Sequence, residues 1–318
     1  MERKLDKYEK YKELEGQTLD ERFVIKRLVG VGGMAVVYQA KDKHLNNMDV
    51  AIKKLKDDEA MDENVVKRFK NEGRAQALLN HPNIVVVHDV YVKTENKYMA
   101  MEYVDGITLK SYLNAKNEPL AFDEIISYTI QILKALARAH ASGIIHRDIK
   151  PQNVMVLQTG QVKVMDFGIA KLPNTETITV TDKAVGTVYY MSPEQASGKK
   201  VDPRTDIYSL GAMMYELATG ETPFKGETPF AVLVKHMNEP LVPPRNINSS
   251  IPVGLEQVIM CAMSKDPAQR FQSANDMLRY VKALRENKKT RFEELPSNGF
   301  WKNLMGRLKR AFSKKGNK

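Results

Sequence analysis

The sequence predicts an α+β protein built as two unequal lobes, a small strand-rich one followed by a larger helical one. Three observations lead there. Residues 19–104 hold short β-branched runs, separated by glycine and polar turns, around a single amphipathic stretch. After Gly106 the periodicity lengthens to that of helices and stays so to about residue 286. The 318 residues, 42% hydrophobic and 28% charged, supply a core for one large or two modest domains and exclude wholesale disorder. Two lobes of different build leave a cleft between them, where small-molecule sites gather.

Taken in order, residues 1–18 are a lead-in dense in mixed charge, with no apolar stretch of the kind a signal peptide needs. Phe23 to Val29, Met34 to Ala40 and Val50 to Leu55 read as strands, broken by the Gly30–Gly33 loop and a turn at Asn46–Asn47. Asp62 to Leu79 has helical spacing, and His81-Pro82-Asn83 stops it. Strands are expected again at Ile84–Tyr91 and Lys97–Met101. In the large lobe, residues 105–286, a long helix opens at Asp123, lines up Ile126, Ile130, Leu133 and Ala137, and ends at Gly143. Val162 to Met165 reads as a strand. Further helices are expected over Asp206–Thr219, Phe230–Asn238, Leu255–Met263 and Ser273–Arg285, with Pro240, Pro243 and Pro244 as punctuation.

The formal charge of +10 invites a nucleic-acid reading, but its location removes it. Residues 287–318 carry ten Lys/Arg against Glu293 and Glu294, a balance of +8, while the remaining 39 basic and 37 acidic residues leave +2. The basic object is the tail, so no nucleic-acid partner is expected. The one cysteine, Cys261, excludes an intramolecular disulfide or a multi-cysteine metal site and suits a reducing compartment. No apolar run approaches the ~18 residues that read as a membrane span.

Four stretches carry chemistry. Gly30-Val31-Gly32-Gly33-Met34-Ala35-Val36-Val37 joins two strands, and its glycines let backbone approach phosphate, although in isolation a plain hairpin turn reads the same way. It lacks the Gly-Lys-Ser/Thr ending of a P-loop and precedes a strand, unlike a dinucleotide fingerprint. In Val50-Ala51-Ile52-Lys53 a lysine sits inside an apolar strand, with Glu72 on the following helix able to reach back to it. His146-Arg147-Asp148-Ile149-Lys150-Pro151-Gln152-Asn153 combines an aspartate able to accept a hydroxyl proton, a lysine two residues on for phosphoryl charge, and a neutral oxygen ligand for Mg²⁺. Asp166-Phe167-Gly168 follows at the end of a strand and supplies a carboxylate beside Asn153.

On these motifs, in this order, the sequence resembles the eukaryotic-like (Hanks-type) serine/threonine protein kinases, most closely their bacterial branch, over residues 19–285. Gly186-Thr187, Ser192-Pro193-Glu194, Asp206-Ile207-Tyr208-Ser209-Leu210-Gly211 and Asp266-Pro267 with Arg270 extend the match. The resemblance implies the bilobal protein-kinase fold and transfer of the γ-phosphate of ATP to protein Ser/Thr hydroxyls. It implies that Asp148 is the catalytic base and that Lys150 stabilises the transferred group. Lys53, held by Glu72, would meet the α- and β-phosphates, and Asn153 and Asp166 would hold Mg²⁺, with Mn²⁺ as the alternative ion. Residues 30–37 would cover ATP, Val37 and Ala51 would pack on adenine with Leu157 near its other face, and Met101 would be the gatekeeper. The Glu102 carbonyl and Val104 N–H would bond the adenine edge.

The resemblance also implies supports: His146 packing on Phe167, Asp206 steadying the catalytic loop, and a buried Glu194–Arg270 ion pair. Lys150 and Thr187 match the Ser/Thr subclass. Thr175, Thr177, Thr179 and Thr181 are expected sites of autophosphorylation, with Arg147 placed to receive the phosphate. Two departures stand out: Ala35 replaces the third glycine, and Gln76 occupies a position that in many members is apolar and joins the helix to the lobe core. A pseudokinase scaffold would be expected to have lost Lys53, Asp148, Asn153 or Asp166; all four are present.

The resemblance is to the kinase domain of PASTA-type receptor kinases, and no transmembrane or sensor part is expected within these residues. In the tail, Phe300, Trp301, Leu304, Met305, Leu308 and Phe312 share one helical arc with basic residues around it. Two occupants for residues 300–312 stay open: an anionic membrane surface, giving a cytoplasmic kinase held at the inner face, or a protein surface. A homodimer through the small lobe is expected by analogy alone.

Overall fold

The computed structural model describes residues 8–92, 96–167 and 186–287. The four threonines expected as phosphorylation sites, Gly168 and the basic tail lie outside them. The small lobe is a six-stranded antiparallel sheet. Its strands are β1 (Thr18–Leu19), β2 (Phe23–Val31), β3 (Ala35–Asp42), β4 (Met48–Leu55), β5 (Val87–Tyr91) and β6 (Tyr98–Glu102), in the order β1-β2-β3-β4-β6-β5. Strand alternation sorts β4 into two faces. Val50 and Ile52 join Phe23, Ile25, Tyr38, Tyr98 and Ala100 in an outer core. Ala51 and Leu55 face the other way, into a second cluster with Phe69, Met99 and Met101. Lys53 lies between them in sequence and so takes the inner face.

After a short turn, α1 (Asp57–Ala60), comes α2 (Glu63–Ala77), the one long helix of this lobe. It starts where the sequence places it: the Asp62 carboxylate accepts the Asn64 N–H at 2.8 Å and the Val65 N–H at 3.3 Å, an N-cap. Val65, Phe69, Glu72, Gly73 and Gln76 form its buried stripe. At Gly73 a Cβ would come within 2.6 Å of Val90 Cγ2, so the helix lies directly on β5.

The strand expected from Ile84 begins only at Val87. Ile84 instead makes an isolated parallel bridge to Val164, with Val85 N–H donating to Val164 O and Val164 N–H to Asn83 O, both at 2.9 Å. Long-range pairing has overridden a local β-branched run, and it sews the back of the small lobe to the large one.

The large lobe contains β7 (Gly106–Thr108), α3 (Leu109–Lys116), α4 (Phe122–Ala141), β8 (Val154–Leu157) and β9 (Val162–Val164), with β7-β8-β9 as a small antiparallel sheet. It continues through α5 (Pro193–Ala196), α6 (Arg204–Thr219), α7 (Pro229–Asn238), α8 (Val253–Ala262) and α9 (Ala274–Glu286). The four later long helices fall within two residues of their expected bounds, and α4 begins one residue before Asp123. α6 is buried on all sides from Thr205 to Thr219, as a helix at the centre of a lobe must be. One large core surrounds it and reaches Phe167 and Val164. Two clusters in the small lobe, one large core in the other and a junction at Val85–Val164 give the two-lobed α+β build. No helix among the described residues is long and apolar enough to cross a membrane.

Candidate active site

The sheet register assembles the upper wall. Gly30 pairs with Val37 and Val31 with Val36, so the glycine-rich turn is the tip of the β2–β3 hairpin. Within it Gly32 N–H donates to Ala35 O at 2.8 Å, and a Cβ on Gly32 would stand 3.2 Å from that oxygen. Lys56 braces the turn by donating from Nζ to Gly33 O and from its backbone N–H to Met34 O. One strand over, Val37 lies opposite Lys53, and Ala51 lies opposite Met101 on the far side of β4. Residues 30–37, Ala51, Lys53 and Met101 are therefore neighbours by backbone pairing.

Beneath that wall Lys53 Nζ meets two carboxylates: Glu72 Oε1 at 3.2 Å and Asp166 Oδ1 at 2.7 Å. Burial pulls the Lys53 ammonium down, but Asp166 and Glu72 together outweigh it and the net shift is upward. Glu72 is pushed up by burial, which Lys53 only partly offsets and to which Asp166 adds. Two carboxylates here face one ammonium, and a divalent cation entering would balance the charge. Asn153 and Asp166 suit such an ion as hard oxygen donors. Asn153 commits its Nδ2 to Asp148, at 2.9 Å from the backbone O and 3.1 Å from Oδ2, which turns Oδ1 into the atom it could offer a cation.

The lower wall is the loop from His146 to Asn153. Backbone strain falls where chemistry is expected: Arg147 in this loop has φ +65°, and Asp166 beyond β9 has φ +57°, both in the left-handed region that non-glycine residues rarely adopt. Fixed hydrogen bonds hold the loop so. The buried Asp206 carboxylate accepts the N–H groups of His146 and Arg147, each at 2.8 Å, and His140 Nε2–H at 2.7 Å. His146 packs its ring 4.5 Å from that of Phe167, donates Nε2–H to Met165 O at 3.0 Å and accepts Asp148 N–H on Nδ1 at 3.2 Å. This one neutral imidazole links the Asp148 loop to the Asp166 segment, and burial lowers its pKa. Arg147 Nε and Nη1 are buried with no hydrogen-bond partner among the described residues.

Asp148 and Lys150 converge, with Oδ2 to Nζ at 2.9 Å, and the same ammonium lies 2.8 Å from Thr187 Oγ1. Beyond Thr187 the chain is anchored to the lobe floor. Glu194 and Arg270 pair through both carboxylate oxygens at 2.8 Å. Glu194 is pushed up by burial and brought down further by Arg270, for a net lowering. Lys163, buried on β9, pairs with the Glu102 carboxylate at 2.8 Å, and Glu102 N–H donates to Val86 O. Glu102 ends β6 and Val104 lies two residues beyond it, where the chain passes between lobes; Leu157, half-buried, pairs with Gly106 at the end of β8.

Sequence reasoning passed over two supports. Tyr190 donates its hydroxyl to buried Glu216, which also pairs with Lys110 at 2.7 Å. His236 accepts Tyr208 O–H at 2.8 Å and donates to Tyr189 O at 3.1 Å. Glu216 and His236 sit in no motif; a charged residue inside an apolar helix, as at Glu216, was the one signal there to be noticed.

Burial moves His236 from 6.5 to about 3. Its folded pKa lies below the unfolded one, so the unfolded chain binds the extra proton between these values. Stability is undiminished above pH 6.5 and falls below it, by about 1.4 kcal/mol per pH unit at most. Melting temperatures taken from pH 7 to pH 5 are expected to decline, and less steeply in His236→Asn; equal slopes would refute the assignment.

The protein kinase domain family matches residues 23–281. A probable serine/threonine-protein kinase of Clostridium perfringens is 46% identical over 272 residues, covering 86% of this chain and 39% of that protein. Serine/threonine-protein kinase PrkC of Bacillus subtilis is 42% identical over 262 residues, covering 82% and 40%. The chain thus spans about two fifths of the length of these curated relatives. The crystal structure of the Mycobacterium tuberculosis PknI kinase domain superposes with a TM-score of 0.68 at 27% identity, covering 87% of this chain and 99% of that one. With the family matched across most of the chain and the cleft residues placed as described, the chain belongs to the protein kinase domain family.

Proposed function

We propose that this chain is an ATP-dependent serine/threonine protein kinase with Mg²⁺ as its metal. The observation that carries the proposal is the convergence of Asp148, Lys150 and Thr187 opposite Lys53, itself held by Glu72 and Asp166. Lys53 binds the α- and β-phosphates and Glu72 keeps it aimed at them. Asp148 orients the acceptor hydroxyl and takes its proton, and Lys150 balances charge on the phosphoryl group as it passes. Mg²⁺ held by Asn153 Oδ1 and Asp166 would draw charge off the phosphate oxygens. The hairpin of residues 30–37 excludes water from above, while Ala51, Val37 and the backbone of Glu102 and Val104 receive adenine. The transfer asks for position and charge balance more than covalent chemistry, which is what a braced loop and a three-membered ion cluster supply.

Residues 19–286 form the catalytic unit in this reading, and residues 287–318 hold the kinase at a membrane face or on a protein. Radiolabelled ATP, Mg²⁺ and a generic basic protein, followed by acid hydrolysis of the product, test it. Label in phosphoserine or phosphothreonine is expected; no incorporation, or label only in phosphotyrosine, overturns the reading.

A further inference from the structure

Two ties hold α2 to the strand that delivers Asp166. One is the charged bridge Glu72–Lys53–Asp166. The other is neutral and starts one helical turn beyond Glu72. Gln76 Nε2 donates to Val85 O at 2.8 Å, and Val85 N–H donates to Val164 O at 2.9 Å. Val164 is the last residue of β9, two positions before Asp166. Both Gln76 and Val85 are shut off from solvent, at 2% and 3% exposure, so no water competes for the bond. A buried amide is costly unless partnered, and here one side chain joins a small-lobe helix to the anchored crossing between lobes.

That crossing is fixed on both sides. Asn83 Nδ2 donates to Val162 O at 2.8 Å, and Val86 exchanges hydrogen bonds with Glu102. With Gly73 pressed on Val90, α2 has little freedom to slide along the sheet, and Gln76 fixes its far end.

We infer that Gln76 is a positioning residue for nucleotide: through Val85 it clasps α2 to β9 and keeps Glu72 in place when Lys53 exchanges Asp166 for phosphate. The inference rests on the reading of this cleft as the ATP site. In that exchange the charged tie is broken by the substrate itself, since Lys53 turns to phosphate and Asp166 to the metal. The neutral tie has no charge for the nucleotide to compete with and persists. An apolar side chain at residue 76 would fill the volume and provide no such directional hold.

The full-length protein is compared with Gln76→Leu and Gln76→Glu, using steady-state kinetics, direct nucleotide titration and thermal melting. Wild-type activity that Asp148→Asn abolishes secures the underlying reading, independently of what the Gln76 variants do. Gln76→Leu is then expected to raise the KM for ATP about tenfold, with the KM for protein substrate little changed and the melting temperature lowered by only a few degrees for the orphaned Val85 carbonyl. Gln76→Glu can donate to Val85 O only when protonated, so its activity relative to wild type is expected to recover as the pH is lowered. A Gln76→Leu enzyme with the wild-type KM for ATP overturns the inference. So does a Gln76→Glu deficit that does not change with pH.

Discussion

Asp148→Asn is expected to lower kcat about a thousandfold, within the range that a positioned general base contributes, while leaving the KM for ATP within a few-fold of wild type. The substitution keeps the size and the strained loop around it. It removes one charge and disturbs two contacts: Oδ2 now accepts from Lys150 Nζ at 2.9 Å and Asn153 Nδ2 at 3.1 Å, and an amide nitrogen in its place would oppose two donors. Lys150 loses its counter-charge yet keeps Thr187, so the phosphoryl-side cation survives without the carboxylate that takes the proton. Lys53, Glu72 and Asp166 keep their bonds to one another, so nucleotide binding is expected to be largely spared. A thousandfold loss is about 4 kcal/mol of transition-state stabilisation, too much for one neutral hydrogen bond and in keeping with loss of the base. Steady-state assays with a nucleotide titration check both halves. A kcat within tenfold of wild type would remove Asp148 from the chemistry.

Much of the candidate loop was legible in the sequence, because the chemistry proposed for it needs particular residue types at short spacing and local sequence carries that directly. His146 through Asn153 is one such stretch, and the strand bearing Lys53 another. The long helices were legible for a related reason: α2 and α4 each bury a stripe that repeats at helical spacing, and Asp62 caps the former. What escaped depends on distant pairing. β7 and β8 hold three and four residues, too few for a period to register, and they exist because Gly106–Thr108 finds Met155–Leu157. Ile84–Val86 carries a strand-like pattern and is claimed by Val164 and Glu102 instead. Asp166 was read as a metal ligand alone; its bond to Lys53, shorter than that of Glu72, arises from folding across 113 residues. Gln76 was visible as a departure from the family pattern, but its partner, Val85 O, is a backbone atom that no residue type announces.

Arg270→Ala is expected to cost about 3–5 kcal/mol, a large part of the ordinary stability of a domain, and to lower the melting temperature by about 10 °C. Arg270 has no exposed surface, and every guanidinium N–H is spoken for. Nε donates to Ser264 O, Nη1 to Glu194 Oε1 and Arg204 O, and Nη2 to Glu194 Oε2 and Lys265 O, at 2.8 to 3.1 Å. Its plane also lies 4.9 Å from the Tyr208 ring centroid. Truncation leaves the Glu194 carboxylate without the partner that outweighs its burial, with Thr205 Oγ1 remaining as its side-chain partner among the described residues. The harm extends beyond stability. Gln195, next to Glu194 on α5, donates to Arg147 O at 2.8 Å, so the brace under α5 also steadies the residue before Asp148. The double variant Arg270→Met/Glu194→Leu removes the stranded charge and is expected to recover much of the melting temperature, since well-packed apolar pairs commonly replace buried ion pairs without loss. It is not expected to recover the full turnover, because the directed bonds that set α5 against the catalytic loop do not return. Melting by calorimetry with kcat measured on the same preparations separates the two effects. A double variant restored in both would reduce the pair to a stabilising contact, and an Arg270→Ala protein melting like the wild type would remove it even from that role.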